Sequence, residues 1–278
     1  MQKRRFVQAD VFSEVPGRGN GLAVIVEADG MSEAEMQAFA AWTNLAETTF
    51  LMPPTDPLAD YRVRIFTPAR EMPFAGHPTL GSCAAWLHVG NRPRAAGRVV
   101  QECGVGLVEI DISDEVPAFV APPTRIEPMK PEDLARIVSA LKIDEAHIVG
   151  SVRLENGPAW QVLELKNAEA VLAVEAARVT WPEFVGVSLI GAHPTASDFD
   201  YEVRMISPSS GMSEDPITGS LNAALAHWLR ASGRLSEPLL MRQGTAVGRL
   251  GRIRISPEGD HIKIGGAVTI VIDGHVTF

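Results

Sequence analysis

The chain has 278 residues, 46% of them apolar and 21% charged, a balance that places it among globular proteins and excludes a disordered or fibrous chain. At roughly 150 residues per domain it suffices for one large or two medium domains. Its net charge of −9 offers no basic footprint for nucleic acid or an anionic membrane, so a small molecule is the expected partner.

The opening FVQADVF and GLAVIVEA mix β-branched and apolar residues around PGRGNG, which predicts two strands joined by a loop. Ser32 and Glu35 form a Ser-x-x-Glu capping box, and Met36, Phe39 and Ala40 recur on one face, predicting a helix that runs to Thr43. TTFLM and YRVRIF read as strands. From Gly76 to Gly90, GHPTLGSCAAWLHVG carries a Pro at the first helical position, a closing Gly and no formally charged residue, the pattern of a buried helix. Strand-like VVQECGVGLVEIDI follows, then the Pro-rich VPAFVAPPTRIEPMKPED, the best candidate for a domain boundary. Leu134, Ile137, Val138 and Leu141 place an amphipathic helix after it. SVRLENGPAWQVLEL reads as paired strands, NAEAVLAVEA as a helix, YEVRMISP as a strand and GSLNAALAHWLRASG as a helix. LLMRQGTAVGRL, RIRISP, IKIGG and AVTIVI read as closing strands.

An internal echo organises these elements. RIFTPAREMPFAGHPTLGSCAAWLHVG begins at Arg64 and RMISPSSGMSEDPITGSLNAALAHWLRASG at Arg204, and each runs strand, Ser/Thr-Pro turn, loop, Gly, buried helix, Gly. The segments 76–90 and 219–233 are both fifteen residues long, and the loops before them differ by three. Two similar α+β domains facing a cleft are expected.

The buried helices begin Gly76-His77-Pro78 and Gly219-Ser220-Leu221. Unpaired N–H groups and the positive end of the helix dipole make each start suited to a carboxylate, including charge that develops when a proton leaves the adjacent carbon. The plainer alternative is that Pro78 and Ser220 cap two structural helices. His77 and Asp215 flank these starts, and Glu47 sits in the polar island NLAETTF before a strand. A carboxylate beside an apolar strand bears a desolvation cost that suits proton transfer, although a surface Glu at a helix end fits the same pattern. His77 before Pro78 also fits a structural histidine, and Asp215 before Pro216 a turn. The other six histidines show no ligand spacing, so no metal is expected, and the lack of GxGxxG and Walker A patterns argues against a nucleotide cofactor. Cys83 and Cys103 lack CxxC spacing and are expected to be ordinary buried residues. Arg242, Arg249, Arg252 and Arg254 read as a solvated strand face. No apolar run reaches the length that spans a bilayer, and acidic residues follow the basic N-terminal start at once, so cytoplasmic residence is expected.

NLAETTF (44–50), RIFTPAREMPFAGHPTLG (64–81) and EDPITGS (214–220) resemble the three signature blocks of the phenazine biosynthesis protein PhzF family, within the diaminopimelate epimerase-like fold, and QGTAVGR (243–249) resembles a fourth. The blocks span the whole chain in the right order. The resemblance implies an α+β fold of two pseudo-symmetric domains, each a curved β-sheet or barrel around a central helix, with the active site between them. The domains are expected at 1–122, where a C-terminal strand 268–278 also packs, and at 123–267. By the same resemblance Glu47 is the general acid/base, His77 and Asp215 complete the catalytic set, and Gly76, Pro78, Gly219 and Ser220 bind substrate.

Related epimerases and racemases carry a cysteine at the start of each central helix, where this chain has Gly76 and Gly219; Cys83 falls inside the first helix. The expected reaction is therefore a cofactor-independent isomerisation of a small carboxylated metabolite through one carboxylic acid. A two-base epimerase or racemase, or a non-catalytic binding protein that keeps the cleft, are the alternatives. A homodimer is implied as well, since curved sheets leave edges that need covering. Two departures stand out: Asn20-Gly21 replaces the family's usual Asn-Pro, and the region from about Val116 to Asp200 carries no signature, which leaves the substrate unassigned.

Overall fold

The computed structural model describes residues 2–175, 186–206 and 214–278. Contacts divide the chain into unit 1, Met1–Val120 with Gly265–Phe278, and unit 2, Ala121–Ile264. Among the described residues strands outnumber α-helices. Unit 1 begins β1 (Lys3–Val11), β2 (Asn20–Ile25), α1 (Glu33–Thr43), β3 (Glu47–Met52), β4 (Tyr61–Phe66), β5 (Glu71–Met72), α2 (Gly76–His88), β6 (Arg98–Cys103), β7 (Gly106–Asp111) and β8 (Ala118–Val120). There follow β9 (Arg125–Glu127), α3 (Pro131–Leu141), β10 (Ile148–Glu155), β11 (Ala159–Leu165), α4 (Ala168–Leu172), β12 (Gly186–Ala192), β13 (Tyr201–Ile206), β14 (Glu214–Asp215), α5 (Gly219–Ala231), β15 (Leu239–Gln243), β16 (Gly251–Glu258) and β17 (His261–Gly265). The last strand, β18 (Val268–Thr277), pairs antiparallel with β1.

In unit 1 the pairing continues β1–β2 antiparallel, β2–β3 parallel, β3–β4 antiparallel, β4–β6 parallel and β6–β7 antiparallel. Unit 2 uses the same succession of directions through β10–β11, β11–β12, β12–β13, β13–β15 and β15–β16. One detail recurs at the parallel step. Asp60 N–H donates to the Val100 carbonyl while Val100 N–H donates to the Asp60 carboxylate at 2.7 Å, and Asp200 does the same with Leu240 at 2.9 and 2.7 Å.

Helix α2 is apolar enough to be packed on by β1, β2, β3, β6, β8 and β18. Gly81 allows that approach, because a Cβ there would meet Leu22 Cδ2 at 2.5 Å and Val11 Cγ2 at 2.9 Å. Phe50 stands edge-to-face with Phe39 and Phe66, at 6.3 and 5.5 Å between ring centres, closing the core under α1. In unit 2 Ile137 and Leu141 of α3 pack on Leu163, Leu165, Val187 and Leu189, and α5 is buried along Leu221–Ala226.

The capping box is present at Ser32 and Glu35, and α1 ends at Thr43 as its periodicity predicts. Three expectations need correction. The helix expected over NAEAVLAVEA spans only Ala168–Leu172, because the Arg204 guanidinium takes the carbonyls of Val171 and Val174, at 3.0 and 2.6 Å, that a longer helix would use. The strand expected over LLMRQGTAVGRL ends at Gln243, since Gly244 and Gly248 adopt φ of 91° and 73° and a 3₁₀ turn joins them. Cys83 is buried, but Cys103 at the end of β6 is only partly so. Ser207 and Pro208 of the expected strand YEVRMISP, the rest of the loop to 213, and Ala176 lie outside the described residues.

Candidate active site

The start of α2 is set by the strand pair before it. Arg64 Nε donates to Glu71 Oε1 at 2.6 Å and Nη2 to Oε2 at 2.5 Å, clamping β4 to β5, and this pairing pushes the guanidinium pKa upward. The chain then enters α2 through Ala75, an extended N-cap with no side-chain cap bond. Inside the helix Thr79 Oγ1 donates to the Ala75 carbonyl at 2.9 Å and accepts from Gln101 Nε2 at 3.1 Å, while the Tyr61 hydroxyl donates to Gln101 Oε1 at 3.0 Å. A buried polar ladder thus fixes the first turn on β6 and β4.

Glu47 reaches the same place from the other side. Asn44 ends α1 in the left-handed region, φ 53°, and three residues later Glu47 opens β3 opposite Leu22 of β2. Thr43 and Thr48 share a 2.9 Å hydroxyl bond, and Ser82 of α2 donates to Thr49 at 2.9 Å, tying the helix to the strand. Glu47 Oε2 therefore lies 3.4 Å from His77 Nε2, with the two side chains 18% and 6% exposed. Burial lowers the His77 pKa to about 3, so the imidazole is neutral at pH 7. Its Nε2 makes no hydrogen bond among the described residues. A neutral imidazole can donate or accept at that nitrogen, and a carboxyl beside it can be present in either protonation state.

In unit 2 the corresponding clamp is buried. Arg204 Nε and Nη2 donate to Glu214 Oε2 at 3.1 and 2.8 Å. The next residue, Asp215, accepts the Thr218 hydroxyl on Oδ2 at 2.6 Å. Gln243, at the end of β15, accepts from Thr218 N–H at 3.1 Å and from Asn222 Nδ2 at 2.8 Å, and donates to the Asp215 carbonyl at 3.2 Å and Thr218 Oγ1 at 3.0 Å. Thr218 is the N-cap of α5, without a side-chain cap bond. From the β10–β11 turn, Asn156 Nδ2 donates to the Ser220 carbonyl at 2.7 Å.

The structure thus brings Glu47 to His77, flanked by buried Gly76 and Pro78 in unit 1, and sets Asp215 beside Thr218, just ahead of Gly219 and Ser220, in unit 2. The caps are Ala75 and Thr218, so Pro78 and Ser220 do not serve as the capping residues. Burial pushes the Cys83 thiol up to about 12, which removes it as a base at neutral pH. Arg204, Glu214, Thr218, Gln243 and Gln101 escaped the sequence reading. The recurrence of Arg and Glu in both halves of the echo, and Gln243 at the head of the fourth block, were the available signals. A groove of about 550 Å³ in unit 1 lies at the other end of α2, against Trp86, Val89 and Asn91, and includes neither Glu47 nor His77. Among the described residues no His, Cys, Asp and Glu side chains are grouped to hold a metal ion, and no helix is long and apolar enough to cross a membrane.

The profile of the phenazine biosynthesis-like protein family, PhzC-PhzF, matches residues 9–274. Antisense-enhancing sequence 1 of Schizosaccharomyces pombe is 34% identical over 99% of both chains. Trans-2,3-dihydro-3-hydroxyanthranilate isomerase of Pseudomonas fluorescens is 30% identical over 91% of this chain and 90% of its own. The crystal structure of the Bacillus anthracis phenazine biosynthesis protein of the PhzF family superposes with a TM-score of 0.83 over 100% of both chains at 21% identity, a likeness of fold. The chain belongs to the phenazine biosynthesis-like PhzC-PhzF family, as an isomerase whose substrate is unassigned.

Proposed function

We propose that the protein moves a proton between two carbons of a small carboxylated metabolite, without a cofactor, with Glu47 as the general acid/base. The carrying observation is the approach of Glu47 Oε2 to His77 Nε2 at 3.4 Å in a largely buried setting. The Glu47 carboxylate takes the proton as one C–H bond breaks, the electron pair forms a new double bond while the existing double bond opens, and the same carboxyl returns the proton to the carbon so freed, on the same face. His77, neutral because it is buried, steadies the carboxyl in both states without adding a full charge. The start of α2 in unit 1 and the start of α5 in unit 2 each suit a carboxylate: Gly76 with Pro78 at the first, Gly219 with Ser220 at the second, where Asp215 accepts a hydrogen bond from a polar group. The Pseudomonas fluorescens relative, by its name, isomerises a dihydro-hydroxyanthranilate; a small carboxylate of that kind, turned over by a homodimer, is the substrate class proposed.

Incubating the protein with metabolite extracts in D₂O tests this. A carboxylate that gains one deuterium and a shifted double bond with wild type, and not with Glu47→Gln, is the expected result. Equal exchange by Glu47→Gln overturns the assignment, and deuterium at an inverted centre with no double-bond shift points to a two-base epimerase instead.

A further inference from the structure

Gln243 is fully buried and uses its whole side-chain amide. Two backbone groups decide which way that amide faces. The Thr218 N–H can only donate, so it requires Oε1; the Asp215 carbonyl can only accept, so it requires Nε2. Nε2 is then also the group 3.0 Å from Thr218 Oγ1, where it must be the donor. With one lone pair of that hydroxyl occupied, its hydrogen is left for its other hydrogen-bond partner among the described residues, Asp215 Oδ2 at 2.6 Å.

We propose that Gln243 is a positioning residue of the active site, which orients the Thr218 hydroxyl so that it donates to Asp215 and keeps that carboxylate an acceptor at the start of α5. This rests on the reading of Asp215 as a site residue. Unit 1 holds its helix start without an N-cap hydroxyl. There Gln101 also holds the first turn of α2, through Thr79, as Gln243 does α5 through Asn222. Yet the residue in the place of Thr218 is Ala75, the N-cap, and Met72 stands opposite Ile65 as Asp215 stands opposite Met205. A buried glutamine thus reaches the first turn of the helix in both units, from strand positions two residues out of register, Gln101 opposite Tyr61 and Gln243 opposite Val203, whereas an N-cap hydroxyl and a carboxylate stand beside it only in unit 2.

Gln243→Glu tests the direction of the chain, because a carboxylate cannot donate: the Thr218 hydroxyl would turn to it and leave Asp215. Thr218→Val deletes the donor, and Thr218→Ser retains it. The readout is the pH titration of the Asp215 13Cγ signal in full-length protein labelled at aspartate, assigned with Asp215→Asn. Wild type and Thr218→Ser are expected to share one midpoint, while Gln243→Glu and Thr218→Val move it upward by about one pH unit or more. An unmoved midpoint in either folded variant overturns the proposal. In wild type a slowly exchanging Thr218 hydroxyl proton with cross-peaks to the Gln243 amide is expected, and its absence overturns the proposal even if both variants fail to fold. No turnover enters these readouts. A moved midpoint without Asp215-dependent deuterium exchange upholds the positioning and removes Asp215 from the reaction; an unmoved midpoint with such exchange does the reverse.

Discussion

Nε2 of His77, near the start of α2, lies 3.4 Å from Oε2 of Glu47, the first residue of β3. The contact joins a helix start to a strand start. If Glu47 carries the proton, Glu47→Gln lowers deuterium exchange into the substrate by about 10²- to 10⁴-fold, the usual loss of a placed acid/base. His77→Asn, which keeps a neutral polar group, costs less than that. Initial rates by mass spectrometry, with thermal melts to confirm folding, make the comparison.

Protonation of His77 links the same contact to stability. Its folded pKa of about 3 lies below the ordinary 6.5 of a free imidazole, so between these limits the unfolded chain binds a proton that the native protein does not. Stability is complete above about pH 6.5 and falls by about 1.4 kcal/mol per unit as pH drops through that window. Urea unfolding from pH 7 to pH 4 is expected to show one proton less of dependence in His77→Asn than in wild type.

The two Arg–Glu clamps differ in burial, which predicts different costs. Arg204 and Glu214 are 4% and 2% exposed, so Arg204→Met leaves a buried carboxylate without its cation and destabilises by about 3–5 kcal/mol. Adding Glu214→Leu recovers much of that. Arg64 and Glu71 are 26% and 37% exposed, and Arg64→Met costs about 1 kcal/mol or less. Chemical denaturation of the three variants reads the difference.

Gly81 marks the close passage of α2 over β1 and β2. Gly81→Val would force atoms into Leu22 and Val11 and is expected to destabilise by about 1–3 kcal/mol despite the better helix propensity. A fall in melting temperature with an unchanged far-UV spectrum is the expected signature.

Thiol chemistry separates the two cysteines. Cys83 is buried with its pKa near 12, while Cys103 is partly exposed. A thiol reagent at pH 8 is expected to label Cys103 in the native protein and Cys83 only on unfolding. Peptide mapping of the modified protein distinguishes the two sites.

Residues close in the chain carried much of the fold in legible form. The ends of α1 follow from a capping box whose partners are three residues apart, and the two buried helices from Gly-bounded segments without charge. Glu47, His77 and Asp215 were recognisable because they stand in family blocks; their polarity alone did not distinguish them from a helix-end Glu, a structural His and a turn Asp. The length of α4 was not legible, because it depends on Arg204, thirty or more residues away from the carbonyls it takes.

Chain-local pattern was sufficient for the order of the elements, the echo between the halves and the identity of the residues at each helix start, since periods of two and 3.6 residues and capping preferences act between near neighbours. Folding alone decided the Glu47–His77 distance and the direction of the hydrogen bonds among Gln243, Thr218 and Asp215. Those depend on the parallel pairing of β2 with β3 and of β13 with β15, and on which backbone N–H or carbonyl each pairing turns toward a side chain; no spacing along the chain encodes that.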